Sequence, residues 1–413
     1  MPVSLRCDEL QPGMKLHESL LAHGRVLLHA GRDLSQEDID ILRRKYPKVV
    51  LRVGDPILDD VVEFEDDSHD REVAQTATGT IVRCMTNVRE QFSARASLRD
   101  LNVASLHAAV GQVVEYLAAN RPTAALLNCC LDSDSYLSEH PGNVFYLSML
   151  LGSAVRDYVV AERDRLTAAR ALRPDFAMNL TPLGLGAMFI DVGMLPLQEL
   201  YASSEPVTEE QWTAIWEHPP AGVTLLPDEF SAVGKMMVRT HHENCDGTGY
   251  PEGLAGDKLH IFTRIVRIAD AYDAATAKHV YKEAKSPAQV LWEMSIGAHH
   301  RYYDPVLMKV FARLIQPFPI GAKLRLADGR YAVVVRYNRK NPFLPTIVIA
   351  FDKDGNRMPN EKLAGPFDLE QRRDLRVQSF GGEDISFIYR TTPVDIAPPR
   401  PAIFTSLFQA AFP

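Results

Sequence analysis

The chain has 413 residues, more than a single domain usually holds, so two or three domains are expected. Its 46% hydrophobic and 24% charged residues give the composition of a soluble globular protein. The formal charge of −8 argues against a duplex nucleic-acid binder, which presents a net basic face. A small anionic substrate remains compatible with that charge, because a bound metal supplies positive charge locally.

No run approaches the roughly 18 continuous apolar residues of a membrane span. The opening MPVSLRCDELQPGMKL lacks the basic-then-apolar order of a signal peptide. Five cysteines (Cys7, Cys84, Cys129, Cys130, Cys245) with no CxxC pair read as reduced thiols of a cytoplasmic protein.

Residues 1–57 read as a small α/β module. Gln11-Pro12-Gly13 is a turn, Val26-Leu27-Leu28 a short strand, and Ser35 with Asp38 a helix-starting cap before Ile39, Ile41 and Leu42. Val49–Val53 reads as a closing strand. Eight carboxylates between Asp59 and Glu72 mark residues 58–72 as an acidic, solvated linker. Residues 73–316 are dominated by helical spacing, as in Val144, Leu147, Leu151 and Val155, or in Ile265, Ile268, Ala269 and Tyr272. Prolines 141, 182, 206, 219, 220 and 251 are expected to break that pattern. The stretch from Glu72 to Asn120 reads as a packed bundle helix, with a homodimer seam as the alternative. Residues 317–395 change character: Ile320–Leu326, the Asp328-Gly329 turn, Tyr331–Val335 and Thr346–Phe351 predict a small antiparallel β unit. Residues 396–413 form a tail whose apolar end docks on the body or moves freely.

The densest chemistry lies in residues 241–251, HHENCDGTGYP. Adjacent histidines are a poor choice for a core, and imidazole is the commonest neutral side-chain metal ligand. The glycines let backbone come close to a ligand or partner. Helical bundles assemble metal sites from several helices, so the other ligands should be scattered in sequence. His140, Asp191, His218 and Asp270 qualify. Singly, His140 and His218 read as helix caps, but Asp191 and Asp270 sit among apolar neighbours, where an unpaired carboxylate is costly. Cys245 reads as a bystander inside the histidine loop.

In that order these residues resemble the HD-GYP domain, a subgroup of the HD metal-dependent phosphohydrolases, over roughly residues 125–315. His140–Val144 looks like its first His motif, Asp191 the aspartate of its His-Asp pair, and His218-Pro219 with Gly222 its HPxxG motif. His241-His242-Glu243 with Gly249-Tyr250-Pro251 looks like the namesake segment, and Ile268–Ala274 like the closing aspartate motif. Residues 1–57 and the β unit resemble modules that often flank such domains. The resemblance implies a mainly α fold, an HD-type helical bundle with a small N-terminal α/β module and a small C-terminal β unit. It also implies hydrolysis of cyclic di-GMP at a two- or three-metal centre, usually iron or manganese. Asp191 would bridge the cations and serve catalysis, His140 and Asp270 would complete one position, and His218, His241 and His242 the other. Asp273 and Lys282 would contact substrate. The Gly249-Tyr250-Pro251 loop, with Tyr250 as an exposed anchor, would contact a GGDEF-type cyclase domain.

The chain departs from that pattern in ways that bear on activity. Ile190 replaces the His of the His-Asp pair, and Met194 replaces a lysine that faces the substrate phosphate. His279 stands where an arginine is common, while Lys282 is retained. Tyr136 stands where trinuclear members carry a glutamate, so one or two divalent ions per chain are expected rather than three. Losing even a group that only orients a ligand costs ~10–100-fold in metal affinity or activity, and a donor to transition-state charge is worth roughly 2.7–4 kcal/mol. The expectation is a weak or silent phosphodiesterase acting by binding nucleotide or partner. The alternatives are an active cyclic di-GMP phosphodiesterase and a hydrolase of another phosphoester.

Overall fold

The computed structural model describes most of residues 2–54, Leu98, residues 101–119, 136–166, 179–197 and 208–277, and nearly all of 285–389. The acidic linker, His279, Lys282 and the tail lie outside the described residues, as does the start of the long helical stretch. The described residues form two compact units, one drawn from residues 1–69 and 315–392 and the other from residues 70–314.

In the first unit, strands β1 (Pro2–Arg6), β2 (Lys15–Leu16), β3 (Leu20–Ala22) and β4 (Arg25–Leu28) precede helix α1 (Gln36–Lys45) and strand β5 (Val50–Gly54). The expected cap is present: Ser35 accepts from the Asp38 amide, and Asp38 in return accepts from the Ser35 amide, satisfying two otherwise orphaned donors. β5 lies between β1 and β2 in an antiparallel sheet, and Ile39, Leu42, Leu51 and Val53 are buried in one core.

The helical unit runs through α2 (Val103–Ala119), α3 (Tyr136–Ala154), α4 (Arg156–Leu166) and α5 (Thr181–Met188), then a 3-10 turn over Val192–Leu197. It continues through α6 (Glu209–Trp216), α7 (His218–Leu225), α8 (Ala232–Thr240), α9 (Ile261–Thr276), α10 (Pro287–Ser295) and α11 (Pro305–Ile315). α9 packs on α3, α3 on α5, α5 on α8, and α7 on both α8 and the 3-10 turn. Pro141 does not break the chain as expected, and His140 does not open its helix: α3 begins at Tyr136 and runs through both. Pro141 sits in the second turn, where it forfeits one backbone bond, and that loss is borne by a stretch buried on every described side chain from His140 to Leu151. The break falls instead at Val155, where α3 and α4 meet at 86°. Among the described residues no single helix is long and apolar enough to cross a membrane.

The β unit is a six-stranded antiparallel sheet. Strands β6 (Lys323–Leu326), β7 (Tyr331–Arg336) and β8 (Thr346–Phe351) are those expected, with Gly329 at positive φ in the turn between the first two. Strands β9 (Ala364–Asp368), β10 (Val377–Phe380) and β11 (Glu383–Asp384) complete the order β11-β10-β6-β7-β8-β9.

Candidate metal centre

Five elements of the helical unit deliver the site. His140 comes from α3, Asp191 from the turn after α5, His218 from the first turn of α7, His241 and His242 from the end of α8, and Asp270 with Asp273 from α9. One ligand atom from each of Asp191, His218, His241 and His242 lies within 4.8 Å of the others. All three of these histidines are buried.

The protons of two rings are fixed by backbone. His218 Nδ1 lies 2.5 Å from the Ile215 carbonyl oxygen and His241 Nδ1 lies 2.8 Å from that of Val238. A carbonyl only accepts, so each Nδ1 carries a hydrogen, and in the neutral ring each Nε2 presents a lone pair. Those two Nε2 atoms are 3.1 Å apart, and they stand 3.3 Å and 3.7 Å from Asp191 Oδ1. Lone pairs converging on a carboxylate oxygen repel one another unless a cation lies among them. The donor set therefore fits a divalent metal of the kind imidazole and carboxylate select.

The other oxygen of Asp191 serves a second position. Oδ2 is 3.3 Å from His140 Nε2, which also lies 3.2 Å from Asp270 Oδ1. His140 is oriented from behind: its Nδ1 donates to Asp273 Oδ2 at 2.7 Å, while Asn143 donates to Asp273 Oδ1 at 2.8 Å. Asp273, expected to contact substrate, here accepts from His140 with one oxygen and from Asn143 with the other. The α-helical spacing from Asp270 places both carboxylates on the His140 face.

Electrostatics follow the geometry. Burial works to raise the Asp191 carboxyl, but His140, His218 and His241 hold it well below the usual range. Burial works to lower His140, yet Asp191, Asp270 and Asp273 raise it well above an ordinary imidazole. Burial, then the neighbouring His241 and His218, keep His242 neutral by lowering it strongly. Burial, and next Asp304, push the Cys245 thiol up to about 11, so it stays protonated and outside the ligand set.

Ile190 is fully buried and Met194 is 1% exposed, their side chains part of the core around Asp191. Beside them, Gly193 marks a close approach: a Cβ there would stand 2.0 Å from the His218 carbonyl oxygen and 2.8 Å from the Gly222 nitrogen. The Gly-Tyr-Pro loop is tied to the same ligands. A Cβ at Gly249 would stand 2.4 Å from the His242 carbonyl oxygen, and Glu243 accepts from the Glu252 and Leu254 amides at 2.6 and 2.9 Å. Tyr250 is not the exposed anchor expected: its ring stacks on His242 at 4.8 Å, its hydroxyl is buried, and the residue is half-buried. The exposed tip is Pro251–Gly253.

Sequence reasoning missed Arg267. Its Nε donates to Asn244 Oδ1 at 3.0 Å, its Nη1 lies 3.6 Å from Asp270 Oδ2, and its guanidinium covers the Tyr303 ring at 5.7 Å. Its place three residues before Asp270 on a helix was the available signal.

The fold and site define a helical protein with a candidate metal centre, and the HD-domain family profile matches residues 161–307. The HHE and Gly-Tyr-Pro segments lie within that match, and they mark the matched domain as one of HD-GYP type. Among curated proteins it is 29% identical over 171 residues to the cyclic di-GMP phosphodiesterase PA4108 of Pseudomonas aeruginosa, covering 41% of either chain. It is 30% identical over 177 residues to a cyclic di-GMP phosphodiesterase of Vibrio cholerae, covering 40% of this chain and 35% of that one. It is 34% identical over 122 residues to the cyclic di-GMP phosphodiesterase response regulator RpfG of Xanthomonas campestris, covering 29% of each. The chain thus spans less than half the length of these relatives.

Proposed function

We propose that this chain is a cytoplasmic cyclic di-GMP-binding HD-GYP module with slow or absent phosphodiesterase activity. The observation that carries the reading is the division of Asp191: Oδ1 faces histidines 218 and 241, while Oδ2 faces a poorer position made by His140 and Asp270 beside the inert Ile190. Iron or manganese, one or two ions per chain, is the metal proposed for these ligands. When bound, it would supply Lewis-acid polarisation of a phosphoryl oxygen and activation of water. Asp191 holds the two positions in register, Asp273 and Asn143 fix the His140 ring, and the carbonyls of Ile215 and Val238 fix the tautomers of His218 and His241. Cyclic di-GMP is proposed as ligand because the relatives are named for it. The Pro251–Gly253 tip is the surface this loop offers to a partner such as a GGDEF-type domain.

The second reading, an active cyclic di-GMP phosphodiesterase, is favoured by the convergence of His140 and Asp270 on the free oxygen of Asp191. Turnover of cyclic di-GMP by chain purified anaerobically with manganese or iron separates the two. Little native turnover, restored in the double variant Ile190→His with Met194→Lys, supports the first reading. Robust native turnover overturns it.

A further inference from the structure

The charge at the site does not come from where the sequence comparison sought it. Met194 is buried and apolar, yet a cation does reach the ligand cluster: among the described residues Arg267 is the arginine or lysine paired with one of its carboxylates. The way Arg267 is held is unusual. Its side chain is only 12% exposed, its Nε is committed to Asn244, and its Nη1 is 3.6 Å from Asp270, too far for a hydrogen bond. Its guanidinium makes no other hydrogen bond to a described residue, and its Nη groups, not among the buried unpartnered atoms, keep four N–H donors open to solvent or ligand. Beneath it lies Tyr303, 2% exposed, whose buried hydroxyl also has no partner among the described residues.

We propose that Arg267 is a phosphate contact of this site, taking a phosphoryl oxygen of a bound cyclic dinucleotide beside the ligand oxygens of Asp270. The proposal rests on the nucleotide-binding reading above. The geometry suits the role. Asn244 and the Tyr303 face fix the guanidinium plane before ligand arrives, so little freedom is lost on binding. The planar fork matches two oxygens of a phosphodiester, which a point charge does not. The Asp270 carboxylate keeps the cation at the edge of the cluster without consuming its donors. A guanidinium serving only to clamp the histidine loop would spend those donors on that loop.

The test is calorimetric titration of the full, manganese-loaded chain with cyclic di-GMP, comparing native protein with Arg267→Met and Arg267→Lys, and with manganese affinity measured separately on each. Charge-assisted hydrogen bonds of this kind correspond to losses of about 10- to 100-fold. Arg267→Met is expected to weaken cyclic di-GMP by that factor while leaving manganese affinity within about twofold, with Arg267→Lys in between. Should Arg267→Met fold poorly, the Arg267→Lys ratio decides. Unchanged nucleotide affinity in the folded variants overturns the proposal. So does a loss of manganese affinity matching the loss of nucleotide affinity, which is the signature of a clamp. Native chain that binds manganese but no cyclic di-GMP overturns the nucleotide-binding reading itself, and this contact with it.

Discussion

Replacing Gly193 by alanine adds one methyl group at the point where the Asp191 turn meets α7. The new Cβ would stand 2.0 Å from the His218 carbonyl oxygen, where side-chain carbons keep at least 3.0 Å, so the two segments must part by about 1 Å. Backbone is met on both sides, and no rotamer relieves it. His218 Nε2 and Asp191 Oδ1, now 3.3 Å apart, would be pulled out of a common coordination sphere, since metal–ligand distances tolerate only about 0.2 Å. Overpacking of this kind costs about 1–3 kcal/mol, or roughly 2–12 °C in a unit of this size. Misplacing the ligand should cost manganese affinity at least ~10–100-fold, the loss seen when a ligand's supporting group is removed. Manganese titration followed by the signal of the free ion, with thermal melts of the apo and loaded chain, reads both effects. Native-like manganese affinity in a folded Gly193→Ala chain would refute the argument that this contact sets the metal site.

Other expectations follow from groups outside the ligand cluster. Arg264 donates to Asp304 at 2.6 Å and also pairs with Glu162, while Tyr158 donates to Asp304 at 2.8 Å, all largely buried. Arg264→Met strands both carboxylates and should cost about 3–5 kcal/mol by urea unfolding; a loss under about 1 kcal/mol would show the network is dispensable. His260 caps α9 by accepting from the Phe262 amide through Nδ1, and burial, then Arg163 and Arg264, lower its pKa to about 4. The unfolded chain takes up that proton below about 6.5 and the folded chain only below about 4, so stability falls as pH drops through this window. Roughly 1–3 kcal/mol is at stake, and His260→Gln should flatten that part of the stability–pH curve. Identical slopes in native and variant chains would exclude His260 as the cause.

The sequence was most readable where residue type itself carries a cost. Asp191 and Asp270 among apolar neighbours and the His241-His242 pair demand an explanation, and the structure brings them together with His140 and His218. What stayed hidden depended on approach rather than type. Tyr250 between glycine and proline suggests an exposed tip, but Gly249 lets the loop close so tightly on His242 that the ring stacks inward. Asp273 reads as one more pocket acid until the helix turn that aims it at His140 is seen. Arg267 carries no motif, and its position beside Asp270 becomes informative only once Asn244 and Tyr303 are seen to hold it. In the fold, β6 to β8 announced themselves by alternating or branched residues, whereas β9 runs through Gly365-Pro366 and β11 through Glu383-Asp384, which carry no strand signal. The start of α3 was missed because Pro141 reads as a break, whereas the buried packing from His140 to Leu151 carries the helix through it.

The central claim is that Asp191, His218, His241 and His242 hold a divalent ion firmly in this chain. Elemental analysis of protein purified anaerobically with manganese or iron, then dialysed against metal-free buffer, tests it most directly. About one ion retained per native chain, and none in His218→Ala with His241→Ala, is the predicted result. Native chain that retains no more metal than the double variant would contradict the account.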